Sequence, residues 1–385
     1  MQRRDFIKAL GAGLVVFSPP MLALGAEITH SKAATAKIVW VVLRGAMDGL
    51  HALVPVSDPD LNVHRPKLVG GIKSGLLPLN NDFALHPSLV NLHSWYLDKQ
   101  LLPVVAVSSG YQQRSHFDGQ DYLESGLPEI NHDSGWLARA VEIRHKQALA
   151  IARSTPISLR DDNTNKAQVS TWYPSGLKSA DEDLYQSLIK MYERDPLLSS
   201  RLADGLETGQ MAGMNVNAEK RKGKFTDLTR SCAQLMSGDI DCAMLELGGW
   251  DTHNNQHARL ARQLSELDNG LAILKQGLGK SWNNTVVVVA TEFGRTVKEN
   301  GTGGTDHGTG SMLLLAGGAV QGGRVMGQWP GLANEQLFEQ RDLMPTSNSF
   351  SWIGKVLSEH WGFSDQELSR VFPDRPLIAD KLLKS

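Results

Sequence analysis

Cysteine is scarce in this chain, with only Cys232 and Cys242 in 385 residues. Two thiols make no disulfide scaffold, and the absence of a C-x-x-C pair removes the usual thiolate zinc site. Ten residues apart, the two are either a disulfide of an oxidising compartment or a pair of buried thiols. A basic excess is missing too, since 39 Lys and Arg face 41 Asp and Glu for a net charge of -2. That balance excludes nucleic-acid binding through bulk charge. There is no internal repeat, no low-complexity tract and no G-x-x-x-x-G-K-[ST] loop to point to a nucleotide. What is present, 41% hydrophobic and 21% charged residues, is the mixture of a folded globular chain long enough to bury a sizeable core.

The first 26 residues read as an export signal. Arg3-Arg4-Asp5-Phe6-Ile7-Lys8 precedes an apolar run from Ala9 to Phe17, then Ser18, Pro19-Pro20 and small residues up to Ala26. The run is too short for the ~20 residues that span a bilayer, so no stable membrane span is expected after cleavage. The paired arginines resemble the twin-arginine signal that takes folded proteins across a bacterial inner membrane. This implies the twin-arginine machinery as a partner and a periplasmic or secreted location. Cleavage is expected after Ala26, with Ala36 as the alternative.

In the mature chain, short apolar runs alternate with amphipathic stretches. Lys37–Leu43, Leu102–Val107, Ala148–Ala152, Cys242–Leu247, Thr285–Ala290 and Met312–Ala316 read as buried strands. Helical patterns cover Pro87–Lys99, Ser115–Ser125, Trp136–Arg144, Leu184–Leu206, Phe225–Met236, Asn254–Leu278 and Phe350–Trp361. The alternation predicts an α/β fold, a mostly parallel sheet sandwiched by helices, as a single domain over 37–385. Ser57–Leu85 and Ser154–Asn217 read as insertions, either a lid or a longer perimeter. Trp172, Tyr173 and Tyr185 there pack into a core or stack on a flat substrate.

In such a sheet, ligands bind outside the carboxyl ends of the strands. Four loops there carry unusual residues: Arg44–Gly49 with Asp48, Gly248–His253 with Asp251 and His253, Thr291–Thr296 with Glu292 and Arg295, and Gly301–Gly310 with Asp306 and His307. Arg114-Ser115-His116-Phe117-Asp118 opens a further helix. Each has an ordinary reading, Asp251 as an N-cap, Ser115 likewise, and Glu292 as an ion-pair partner of Arg295. Together Asp48, Asp251, His253, Glu292 and His307 form a candidate oxygen and nitrogen site for a divalent metal: zinc, calcium, magnesium or manganese.

The stretches beginning at Arg114, Trp250, Thr291 and Gly304 (RSHFDGQD, WDTHNNQ, TEFGRT and GTDHGTG) resemble the motifs of a bacterial exported family catalogued as domain of unknown function 1501. That family is similar in turn to the alkaline-phosphatase and sulfatase superfamily. The resemblance covers nearly all of the mature chain. It implies Ser115 as the nucleophile, Asp251, His253 and His307 on a first metal, and Asp48 and Glu292 on a second. Departures fall mainly on the second metal: Glu stands where Asp is expected at 292, and Phe293 where a ligand His would follow. At the first, Asp251 and His253 are only two residues apart.

Hydrolysis of a phosphate or sulfate ester needs an activated nucleophile and compensation of charge on the transferred group. Arg44, Arg114 and Arg295 could clamp non-bridging oxygens, and His116 could act as a ligand or as general acid. The expected substrate is a small-molecule or saccharide ester. A non-catalytic binding or assembly protein on this fold, and a polysaccharide-modifying transferase using the same serine, are the alternatives.

Overall fold

The structure is a computed structural model that describes residues 35–162, 167–174, 191–192, 199, 223–376 and 378–384. The expected signal at 1–26 and its cleavage after Ala26 lie outside the described residues, as do Tyr185 and most of the 154–217 insertion. Of the helix expected over Leu184–Leu206 only 191–192 and 199 are described, and they are helical.

Among the described residues eight strands form one sheet: β1 (Lys37–Arg44), β5 (Leu101–Ser108), β6 (Gln147–Ile151), β7 (Gln168–Trp172), β8 (Cys242–Gly248), β9 (Thr285–Thr291), β10 (Ser311–Ala316) and β11 (Ser347–Asn348). Their order is β11-β5-β10-β9-β1-β8-β6-β7, and only β10 runs against its neighbours. A smaller antiparallel sheet joins β2 (Leu53–Pro55), β3 (Leu77–Pro78) and β4 (Phe83–Leu85). The Ser57–Leu85 insertion is therefore built onto this small sheet, through helical turns at Leu61–His64 and Pro66–Gly70.

Central β1 shows why the sheet is a sandwich. Successive side chains point to opposite faces, and both sets are apolar. Val39, Val41 and Leu43 enter one core, with α5 (Phe225–Leu235) and α6 (Gln256–Leu278). Ile38, Trp40 and Val42 enter the other, with α4 (Trp136–Arg144), α7 (Ser349–Trp361) and α8 (Asp365–Val371). Fully buried side chains of this kind contribute about 1.5–3 kcal/mol each. Every strand expected from the sequence is present; β7, β11 and the small sheet, all short, are additions.

Cys232 and Cys242 are free thiols, both fully buried, so the disulfide alternative does not hold. Burial pushes both thiols well above their ordinary range. Among the described residues no helix is long and apolar enough to cross a membrane.

Candidate metal centre

The parallel strands deliver their loops to one edge of the sheet, and the reversed β10 begins there, so the loop ahead of it joins them. At that edge β1 continues through Gly45, where φ is +118° and a Cβ would stand 2.7 Å from the backbone nitrogen of Asp251. Only glycine lets the β1 and β8 loops approach so closely. Gly304 serves the same purpose: a Cβ there would meet the His253 carbonyl carbon at 2.3 Å.

Donor atoms of His116, Asp251 and His307 lie within 4.8 Å of one another. His253 lies against two of the three. Its Nε2 is 3.0 Å from Asp251 Oδ1 and 3.0 Å from His307 Nε2. His307 Nε2 is 3.3 Å from Asp251 Oδ1, and His116 Nε2 is 3.6 Å from Asp251 Oδ2. Bonds of ~2.0 Å in a tetrahedral shell put neighbouring ligand atoms ~3.3 Å apart, and these four spacings bracket that value.

Each ring is held by an acceptor at its other nitrogen. His116 Nδ1 faces Glu292 Oε1 at 2.8 Å, His253 Nδ1 faces Asp306 Oδ1 at 3.0 Å, and His307 Nδ1 faces the Arg114 carbonyl at 3.0 Å. With its proton on Nδ1 each ring offers an Nε2 lone pair, the arrangement in which metal-bound histidines are supported. Three Nε2 atoms thus face one carboxylate. The His253 and His307 Nε2 atoms stand 3.0 Å apart, a spacing that two ligands of one cation can keep, and His116 Nε2 is buried with no hydrogen-bond partner. A divalent metal fits these residues.

His51 and His86 are the opposite case. Gln256 Nε2 lies 3.1 Å from His51 Nδ1, and that amide also donates to Asp48, so the ring nitrogen accepts. His86 Nδ1 accepts from the Ser88 amide. Both Nε2 atoms therefore carry hydrogen and are not ligands in this arrangement, and burial pushes the pKa values down, to about 3 for His51 and about 4 for His86.

Glu292 is fully buried and collects donors: the Gly45 amide at 2.8 Å, Gln120 Nε2 at 3.1 Å, Thr291 Oγ1 at 2.9 Å, and His116. Burial opposes its ionisation, but His116, Gln120 and the amide outweigh this and hold its carboxyl below the usual range. The same hydrogen bond to Glu292 raises the pKa of His116 against the opposing effect of burial. Burial, with His116 nearby, lowers that of His307. Asp251 is also opposed by burial yet held low by the Arg295 guanidinium, whose Nη1 donates to Oδ1 at 2.8 Å. Asp251 and His253 are 43% and 42% exposed, against 27% for His307 and 21% for His116, so the group opens to solvent on the Asp251 side.

Ser115 is the N-cap residue of α3 (His116–Ser125), but its hydroxyl makes no capping bond. Arg114 takes a left-handed backbone conformation (φ 59°) that turns its carbonyl to His307. Its guanidinium is paired with Asp342 and Glu339. Arg295 donates to Thr305 as well as to Asp251, and Arg44 to Glu246, Glu124 and Gln120. The N-cap reading of Asp251 does not hold, because Asn255 caps α6, and Arg295 pairs with Asp251 rather than with Glu292. Asp48 stands apart, fully buried and bound by Arg65 Nη1 at 2.9 and 2.8 Å and by Gln256 at 2.5 Å. Asp251, His253 and His307 are thus brought together with His116, while Asp48 is held by an arginine and Glu292 supports a ring. Gln120 and Arg65 escaped the sequence reading; Asp306 was singled out there with His307 but not given the role of orienting a ring.

The family described as protein of unknown function (DUF1501) matches residues 35–367. No curated protein matches the chain. Among solved structures it is similar to Ps i-CgsB at 12% identity and TM-score 0.34, covering 73% of this chain and 65% of that one. It is similar also to the alkaline phosphatase of the Antarctic bacterium TAB5 at 12% identity and TM-score 0.34, covering 74% and 90%. The phosphonate monoester hydrolase of Agrobacterium radiobacter is matched at 10% identity and TM-score 0.34, covering 76% and 70%. The chain spans just under two thirds of the first of these.

Proposed function

Because the chain belongs to the DUF1501 family, whose description assigns no activity, we propose its function from the centre itself: an exported, metal-dependent hydrolase of phosphate or sulfate esters. The observation that carries this is the convergence of three imidazole Nε2 atoms on Asp251, each with its Nδ1 facing an acceptor. His116, His253, His307 and Asp251 hold the metal. Three nitrogens and one carboxylate suit zinc or another transition ion better than calcium or magnesium, which prefer oxygen. A metal bound there would polarise the ester and favour the ionised form of an adjacent hydroxyl or water.

The chain's own residues supply the rest. Ser115 precedes His116 directly and keeps its hydroxyl free of capping, which suits a nucleophile. The first turn of α3 presents backbone N–H groups to an anion. Glu292, Asp306 and the Arg114 carbonyl fix the rings, and Arg295 fixes Asp251.

Metal analysis of the mature protein, with turnover of aryl phosphates and aryl sulfates, tests the reading. One bound metal and turnover are expected, with the metal lost in His307→Ala and turnover lost, but metal kept, in Ser115→Ala. Metal content unchanged in both His253→Ala and His307→Ala would refute the centre. Export rests on Arg3-Arg4 and the short apolar run after them. Replacing both arginines with lysine should leave the precursor in the cytoplasm, because a receptor reads the pair and not its charge; normal export of that variant would count against the route.

A further inference from the structure

The charges around the centre restrict what can bind there, if it is the hydrolytic centre proposed above. Asp48, the residue nearest to a second cation position in the sequence reading, has no lone pair to spare. Its Oδ1 takes Arg65 Nη1 and the His51 amide, and its Oδ2 takes Arg65 Nη1 and Gln256 Nε2. Arg65 is fully buried and committed with all three nitrogens, its Nε to the Val297 carbonyl and its Nη2 to the Thr296 carbonyl. A guanidinium already fills the place of a cation beside Asp48. Glu292 is committed on one oxygen, with three partners on Oε1, the His116 ring among them.

The arginines are engaged as well. Arg44, Arg114 and Arg295 each donate to carboxylates of this chain, so their charges are already partly offset before a substrate arrives. Asp251, Glu292 and Asp306 bring three negative charges against the one positive charge of Arg295. One divalent metal makes this set neutral, and it leaves nothing for a dianion.

We infer that this is a one-metal centre that accepts an ester bearing a single negative charge, a phosphate diester or a sulfate monoester, rather than a dianionic phosphate monoester. A second negative charge on the substrate would add to the Asp251 and Asp306 carboxylates beside the imidazoles and to the buried Glu292 carboxylate behind His116.

The test uses the full mature chain loaded with cobalt(II), whose visible absorption reports an anion entering its coordination shell whether or not turnover follows. Metal analysis after loading with excess cobalt should give one equivalent per chain. Titration at pH 8 with dimethyl phosphate, a monoanion, and methyl phosphate, a dianion, should show the monoanion binding at least as tightly, although the dianion is intrinsically the better metal ligand. With nitrophenyl esters, kcat/KM for the phosphate diester or the sulfate should exceed that for the phosphate monoester by on the order of tenfold; which of the two is faster separates the sources of the monoanion. Two equivalents of cobalt, the second lost in Asp48→Asn, would overturn the inference and leave the hydrolase reading standing. So would one equivalent with methyl phosphate bound tenfold more tightly, or a phosphate monoester turned over fastest. Failure to take up cobalt at all would instead refute the metal centre, and the inference with it.

Discussion

The Asp48–Arg65 pair shows how one residue's surroundings decide its chemistry. An Asp after a central strand has the position of a metal ligand, but a fully buried guanidinium reaches it from the insertion between Ser57 and Leu85. Burial works against the Asp48 carboxylate, and the Arg65 guanidinium more than offsets it, so its pKa lies below the ordinary value. Breaking a buried pair by removing one partner leaves an uncompensated charge, so Asp48→Asn should lose about 3–5 kcal/mol at neutral pH. The sign of its pH dependence follows from the depressed pKa. The contribution is fully present above the unfolded value of ~3.9 and is lost as pH falls below it toward the folded value. The stability gap between the wild type and Asp48→Asn, measured by urea unfolding, should therefore be constant from pH 5 to 7 and narrow below pH 4. A gap that widened below pH 4 would contradict the assigned direction.

At the scale of elements, α3 lays His116, Gln120 and Glu124 along one side, four residues apart. His116 meets the centre, Gln120 bridges Glu292 and Arg44, and Glu124 receives Arg44. That spacing was visible in the sequence; what the side chains meet was not. The strands were legible because their apolar runs are long and buried on both faces, and Asp251, His253 and His307 because they sit at strand ends beside glycines. Arg65 was not legible, since nothing local marks a lone arginine between two short helical turns as the partner of an Asp seventeen residues earlier. His116 was legible as a ligand or a general acid but the choice between them was not, because its role depends on Glu292 approaching from another strand end, 176 positions away. Periodicity reports which face is buried; it carries no information on which polar groups meet once the faces are packed.

Over the whole molecule, the proposed ligands come from three loops that are distant in the chain. His116 follows β5, Asp251 and His253 follow β8, and His307 precedes β10. Only the finished sheet brings them together, so an unfolded chain offers a metal no comparable site. Binding to the folded state alone adds stability that grows with metal concentration, by about 2.7 kcal/mol at a free concentration of 100 times Kd. In a domain of this size each kcal/mol moves the melting temperature by roughly 2 °C or less, so a metal-loaded sample should melt a few degrees above a chelator-treated one. His307→Ala removes a ligand that is partly exposed, and with it the metal-dependent rise, while the chelated wild type and variant should melt close together. A calorimetric scan of both proteins with zinc and with chelator decides the matter. If the variant kept the full rise, the metal would be binding elsewhere; if neither protein responded, the His253 and His307 rings would be joined by an N–H···N hydrogen bond rather than by a metal.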